Sequence, residues 1–206
     1  LGESADLPEP QTPEHFGKVV LAGLDQIIGS AAHFQLAGFS FGAMIGAHVA
    51  ALGGSRCERF IAVGAAGFGD LHVQVSLQRP PAVDTPWAEA HSIHHGNLRA
   101  LMFSSDDHID ELAVHCHHIN LARHRFNSRR LSLTTDFVET LPRIAAPLMG
   151  VWGSRDATAG GRGDIEKRRQ LFKSVQADSQ FHILDGVGHW AMYESPDRIN
   201  ALLLNS

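Results

Sequence analysis

Apolar residues along the chain fall into two kinds of run. Short ones recur at "HFQLAGFS" (33–40), "RFIAVGAAG" (59–67), "APLMGVWGS" (146–154) and "QFHILDGVGH" (180–189). Four to eight apolar residues bounded by glycine or polar residues predict strands buried on both faces. Between them lie stretches of helical spacing. "PEHFGKVVLAGLDQIIG" (13–29) places Phe16, Val19, Val20, Leu24 and Ile27–Ile28 on one side, with Gly29 as its stop. "FGAMIGAHVAALG" (41–53) is a helix of small residues suited to lie close on a sheet. "GDIEKRRQLFKSV" (163–175) and "SPDRINALLLN" (195–205) complete the set, the last with Ser195 as N-cap and Pro196 at its first position. Strands alternating with helices predict an α/β fold with a parallel sheet.

One stretch breaks the alternation. From Phe68 to Leu141 the chain is rich in histidine and arginine, and "WAEAHSIHHGNLRALMFSS" and "DHIDELAVHCHHINLARHRF" read as helices. We expect three parts: a core segment over 1–67, a helical lid over 68–141, and a core continuation over 142–206.

Composition changes this picture little. The 206 residues suffice for one core with a small cap. Twenty-two acidic residues against 17 basic ones give a net charge of -5, and the basic residues are scattered, so no nucleic-acid surface is indicated. No apolar run reaches the roughly 20 residues that cross a bilayer, so no membrane partner is expected. Cys57 and Cys116 are too few and too far apart for a disulfide framework or a cysteine zinc site. A reducing cytoplasm is the compartment this suggests.

The candidate chemistry begins at "AGFSFGAM" (37–44). Gly38-Phe39-Ser40-Phe41-Gly42 follows a strand and opens a helix, the setting in which G-x-S-x-G raises a serine on a strained corner. The flanking glycines are expected to avoid collisions with strand and helix, and the Phe41 N–H is a natural oxyanion donor at the helix's positive end. A serine needs a base, and the base an orienting acid. Asp156 in "VWGSRDAT" and His189 in "LDGVGHWAMYE" follow the third and fourth strands, so all three residues belong to the C-terminal rim of the sheet. Asp164 and Asp185 are the rival acids.

"LAGFSFGA", "VWGSRDAT" and "GVGHWAMYE" resemble the nucleophile elbow, acid loop and histidine loop of the α/β-hydrolase superfamily. The resemblance implies an α/β-hydrolase fold, a Ser40–His189–Asp156 triad and no cofactor. "GHW" followed by "E" and the "N" of "DRIN" is similar to the meta-cleavage product hydrolases, which cut carbon–carbon bonds; small carboxylesterases share much of the pattern. Activity on a small ester or a diketo acid is therefore expected, with a non-catalytic binding protein, an acyltransferase or a perhydrolase as alternatives, and a small molecule or a second copy as partners. Family members carry several strands before the elbow, and "LGESADLP" resembles the loop that follows them. The N-terminal strands are thus expected to be absent, leaving the strand before Ser40 as an open edge. A second oxyanion donor would go with them, at a cost of about 3 kcal/mol in the transition state.

In such lids apolar residues form the acyl pocket. Leu101, Met102 and Phe103 are candidates, with Trp190 and Phe39 as walls, and Arg123, Arg125 or Arg155 could bind a substrate carboxylate. Nine histidines fall in the insert, and His115 and His118 lie one turn apart near Asp110 and Glu111. A titrating polar face is the reading adopted, and no metal is expected.

Overall fold

A computed structural model of the chain describes residues 5, 6, 9–69, 75–82 and 84–204. The "GES" opening lies outside the described residues. The core begins with α1 (Pro13–Ile28), β1 (Phe34–Phe39), α2 (Phe41–Gly53) and β2 (Cys57–Val63). Four helices follow: α3 (Trp87–Leu101), α4 (Glu111–Ala122), and the short α5 (Arg129–Ser132) and α6 (Asp136–Thr140). The chain closes with β3 (Leu148–Gly153), α7 (Arg162–Val175), β4 (Gln180–Leu184), α8 (Ala191–Glu194) and α9 (Pro196–Leu204).

The four strands are parallel and lie in chain order. Alternation along the two inner strands divides the core between the faces of the sheet. Phe60 and Ala62 of β2, with Leu148 and Trp152 of β3, join Ala43, Met44 and Ala47 of α2 and Phe172 of α7 on one side. Ile61, Val63, Met149 and Val151 turn the other way, onto Leu184, Ala191 and Ile199. All of β3 is buried, which explains its unbroken apolar run. Among the described residues β1 pairs with β2 alone, and its Gln35 and Ala37 are exposed.

Local chemistry sets the element ends. Thr12 caps α1 by accepting the His15 N–H at 3.2 Å, Pro13 opens it, and Gly29 ends it at φ 89°. Strand β2 stops at Val63 rather than at residue 67, because Gly64 takes φ 53° and turns the chain out of the sheet. Helix α4 starts later than the histidine run suggests: Asp110 accepts the Ala113 N–H at 2.9 Å and fixes Glu111 as the first residue. At the far end of the insert, Phe137 and Leu141 pack into the main core beside Phe60, so α6 belongs to the core layer. No helix among the described residues is long and apolar enough to cross a membrane.

Candidate active site

Each strand releases its chain onto one rim, and three of these exits meet. Ser40 follows β1 directly and, among the described residues, is the only non-glycine with positive φ, at φ 53° and ψ -120°. Its N–H donates to Val63 O at 2.9 Å, while its carbonyl accepts from Ala66 N at 3.2 Å and Ala43 N at 3.1 Å. The corner is therefore tied to the β2 exit and to the first turn of α2. As the first residue of α2, Phe41 carries one of the N–H groups that has no acceptor within the helix.

His189 Nε2 lies 3.0 Å from Ser40 Oγ, and Nδ1 lies 2.9 Å from Asp156 Oδ2. Asp156 and His189 are buried. Gly64 faces them: a Cβ there would sit 3.1 Å from the His189 ring and 3.3 Å from Asp156 Oδ2. The ring of Phe39 packs on the imidazole at 4.8 Å, so this expected pocket wall supports the His189 ring.

Asp156 is held by more than the imidazole. Oδ1 accepts the Thr158 hydroxyl at 2.7 Å and the Thr158 N–H at 2.8 Å, and Thr158 Oγ1 also lies 3.1 Å from His189 Nδ1. Burial pushes the Asp156 carboxyl up, but the His189 contact and the two Thr158 donors outweigh it and hold the group below its ordinary value. The Asp-x-Thr spacing, which lets a threonine close a turn on an aspartate two residues back, is the sequence signal for this partner. The rival acids are engaged elsewhere. Asp164 reaches back to Gly161 N at the start of α7 and pairs with Lys167, and Asp185 accepts from Ser154 Oγ.

A cavity of about 250 Å³ opens on Ser40. Leu101 lines it, with Gly64, Ala65 and Phe68. Met102, Phe103 and Trp190 are placed in a separate apolar cluster with Leu98, Ala113 and Val114. The Trp190 ring packs between Phe103, edge to face, and Tyr193, and its backbone N–H donates to Met102 O at 2.8 Å, which seats the histidine loop on the insert. Glu194 strengthens that seat: its buried carboxylate accepts from Gly188 N at 2.8 Å, from Ser104 N at 3.2 Å and from the Ser104 hydroxyl. Of the arginines, Arg123 and Arg155 are exposed and Arg125 pairs with Asp6 at 3.1 Å. The cations on the cavity are instead Arg129 and Arg168. His118 faces His94 at 3.0 Å rather than His115. Among the described residues no group of three or more His, Cys, Asp or Glu side chains is arranged to hold a metal ion.

The comparisons with known proteins agree with this architecture. The family model described as "Alpha/beta hydrolase family" matches residues 2–202, and the chain belongs to that family. A stretch of 70 residues, 34% of this chain, is 36% identical to a 2-hydroxy-6-oxononadienedioate/2-hydroxy-6-oxononatrienedioate hydrolase of Klebsiella pneumoniae subsp. pneumoniae. That stretch spans 23% of the relative's length. Among solved structures, a bromoperoxidase from Bacillus anthracis superposes with a TM-score of 0.70 at 18% identity, over 98% of this chain and 76% of that one. A meta-cleavage product hydrolase from Pseudomonas fluorescens IP01 gives 0.67 at 15% identity, over 96% and 73%. At these identities the likeness is one of fold.

Proposed function

We propose that this chain carries the catalytic centre of a serine hydrolase that cleaves a small carboxylic ester or a related carbonyl compound through an acyl-enzyme. The continuous path Ser40 Oγ–His189 Nε2, His189 Nδ1–Asp156 Oδ2, at 3.0 and 2.9 Å, is the observation that supports it. Ser40 Oγ attacks the carbonyl carbon while its proton passes to His189 Nε2. Asp156 keeps the Nδ1–H pointed inward and stabilises the imidazolium. The Phe41 N–H at the start of α2 is one donor to the developing oxyanion. Collapse breaks the carbonyl–oxygen bond, and His189 returns the proton to the leaving alcohol. A water then repeats the sequence on the acyl carbon, and Ser40 regains its proton.

The Klebsiella relative favours a second reading, in which the carbonyl is a ketone and the bond broken is carbon–carbon. The leaving fragment then departs as an enolate that His189 protonates. Hydrolysis of p-nitrophenyl acetate and butyrate, compared with turnover of a vinylogous diketo acid, distinguishes the two. Under either reading, Ser40→Ala and Asp156→Asn are expected to lower kcat by about 10⁴-fold. Undiminished activity in Ser40→Ala would remove the proposal.

A further inference from the structure

Helix α7 buries Ile165, Arg168 and Phe172, a stripe at i, i+3 and i+7 in which an aliphatic residue would be the ordinary choice at the middle position. Arg168 is only 8% exposed. Its guanidinium carbon lies 4.5 Å from the centre of the Phe68 ring and 5.6 Å from that of Trp152, contacts that hold the group without using its donors. Nη1 is fully buried and makes no hydrogen bond. A buried guanidinium with a donor left over is costly unless something accepts from it. The nearby carboxylates are already occupied: Asp156 by Thr158 and His189, Asp164 by Gly161 and Lys167. Burial draws the Arg168 pKa down, and the Asp156 and Asp164 charges oppose this, so the cation persists beside a site with room for an anion.

Arg168 borders two such spaces: a cavity of about 200 Å³ shared with Asp164 and Lys167, whose charges already pair, and the cavity of Ser40. A second cation, the exposed Arg129, stands on the wall of the latter, and the remaining surface is largely small or apolar. Ser40 and Arg168 therefore line one cavity of about 250 Å³, a space on the scale of a short acyl chain. We propose that Arg168 is the anion-binding residue of the Ser40 cavity, and that the acyl group transferred to Ser40 ends in a carboxylate, as in monoesters of small dicarboxylic acids. The assignment rests on the serine-hydrolase reading for its chemistry, but its binding half stands on Arg168 alone. A guanidinium edge suits a carboxylate because two parallel N–H donors meet its two oxygens.

The competing role for Arg168 is to balance the Asp156 charge, and the two roles differ in what they spare. The test compares monomethyl esters of three- to six-carbon dicarboxylic acids with methyl esters of the matching monocarboxylic acids, following acid release. The wild-type chain should prefer the charged ester of best length by about 10-fold or more in kcat/KM. Arg168→Met should lower the ratio of charged to neutral ester by about 30-fold, and Arg168→Lys should restore part of it. Equal losses on both esters would assign Arg168 to charge balance, and a wild-type preference for neutral esters would overturn the proposal even if Arg168→Met does not fold. Glutarate binding to Ser40→Ala, measured calorimetrically with glutaramide as control, separates the two claims. Binding without turnover of any ester in the wild-type chain keeps the anion site and rejects the hydrolase, whereas turnover of neutral esters without glutarate binding does the reverse.

Discussion

Ser40 keeps a conformation that costs about 1–3 kcal/mol for a residue with a side chain, and its neighbours supply what holds it there. The two glycines of the elbow do different work. A Cβ on Gly38 would stand 2.6 Å from Ala43 Cα and 2.7 Å from the Gly42 carbonyl oxygen, both backbone atoms with nowhere to go. A Cβ on Gly42 meets no described atom within 4 Å. Gly38→Ala is accordingly expected to destabilise the chain by about 3 kcal/mol or more, and Gly42→Ala to change it by less than about 1 kcal/mol, in urea unfolding monitored by tryptophan fluorescence. Equal effects would mean that the corner is not shaped by crowding. The motif marks where the serine stands; which glycine is sterically required depends on how closely α2 returns over β1, and a pattern of letters carries no such distance.

Helices α3 and α4 meet through imidazoles as well as through the apolar contacts of Leu98, Ala113 and Val114. His94 presents Nδ1 to His117 Nδ1 at 3.2 Å and Nε2 to His118 Nδ1 at 3.0 Å, so the row holds when the rings are neutral and each contact has one donor. Burial first, and then the charges of His94 and His118, bring His117 down to about 4, and burial lowers His94 as well. The neighbouring contacts are His91 with Glu111 at 3.1 Å and the stacked rings of His91 and His95. The sign follows from linkage: the unfolded insert binds more protons than the folded one between about pH 4 and 6.5. Stability of this helix pair is complete above about 6.5 and declines as pH falls towards 4. Hydrogen exchange, corrected for intrinsic rates, should show the amides of α3 and α4 opening several-fold more often at pH 5 than at pH 7, with β2 and β3 unchanged. Unaltered protection at pH 5 would contradict it. The crowd of histidines was visible in the sequence, but their pairing was not, because His94 lies on a different helix from His117 and His118.

Across the whole molecule, the apolar runs read from the sequence recur as the four strands, and the strand exits bring together the three residues expected to react. Chain order is enough for this, since parallel strands send every C-terminal end to one rim. Packing partners were harder to read. Met102, Phe103 and Trp190 have the hydrophobicity of pocket residues, yet they anchor the histidine loop to the insert, because apolar side chains carry no label for the surface they will cover. Sequence alone favours Arg123, Arg125 and Arg155 as carboxylate binders, although the place of Arg168 between Ile165 and Phe172 marks it as a charge on a buried face. Glu194 and Thr158 act through loops that only the fold closes. The proposed hydrolase chemistry turns on one contact, His189 activating the Ser40 hydroxyl, and a fluorophosphonate probe reads it directly. Mass spectrometry should find the adduct on Ser40 and a rate of labelling reduced by about 10³-fold or more in His189→Ala. An adduct on another residue, or labelling of Ser40 at an undiminished rate without His189, would contradict it.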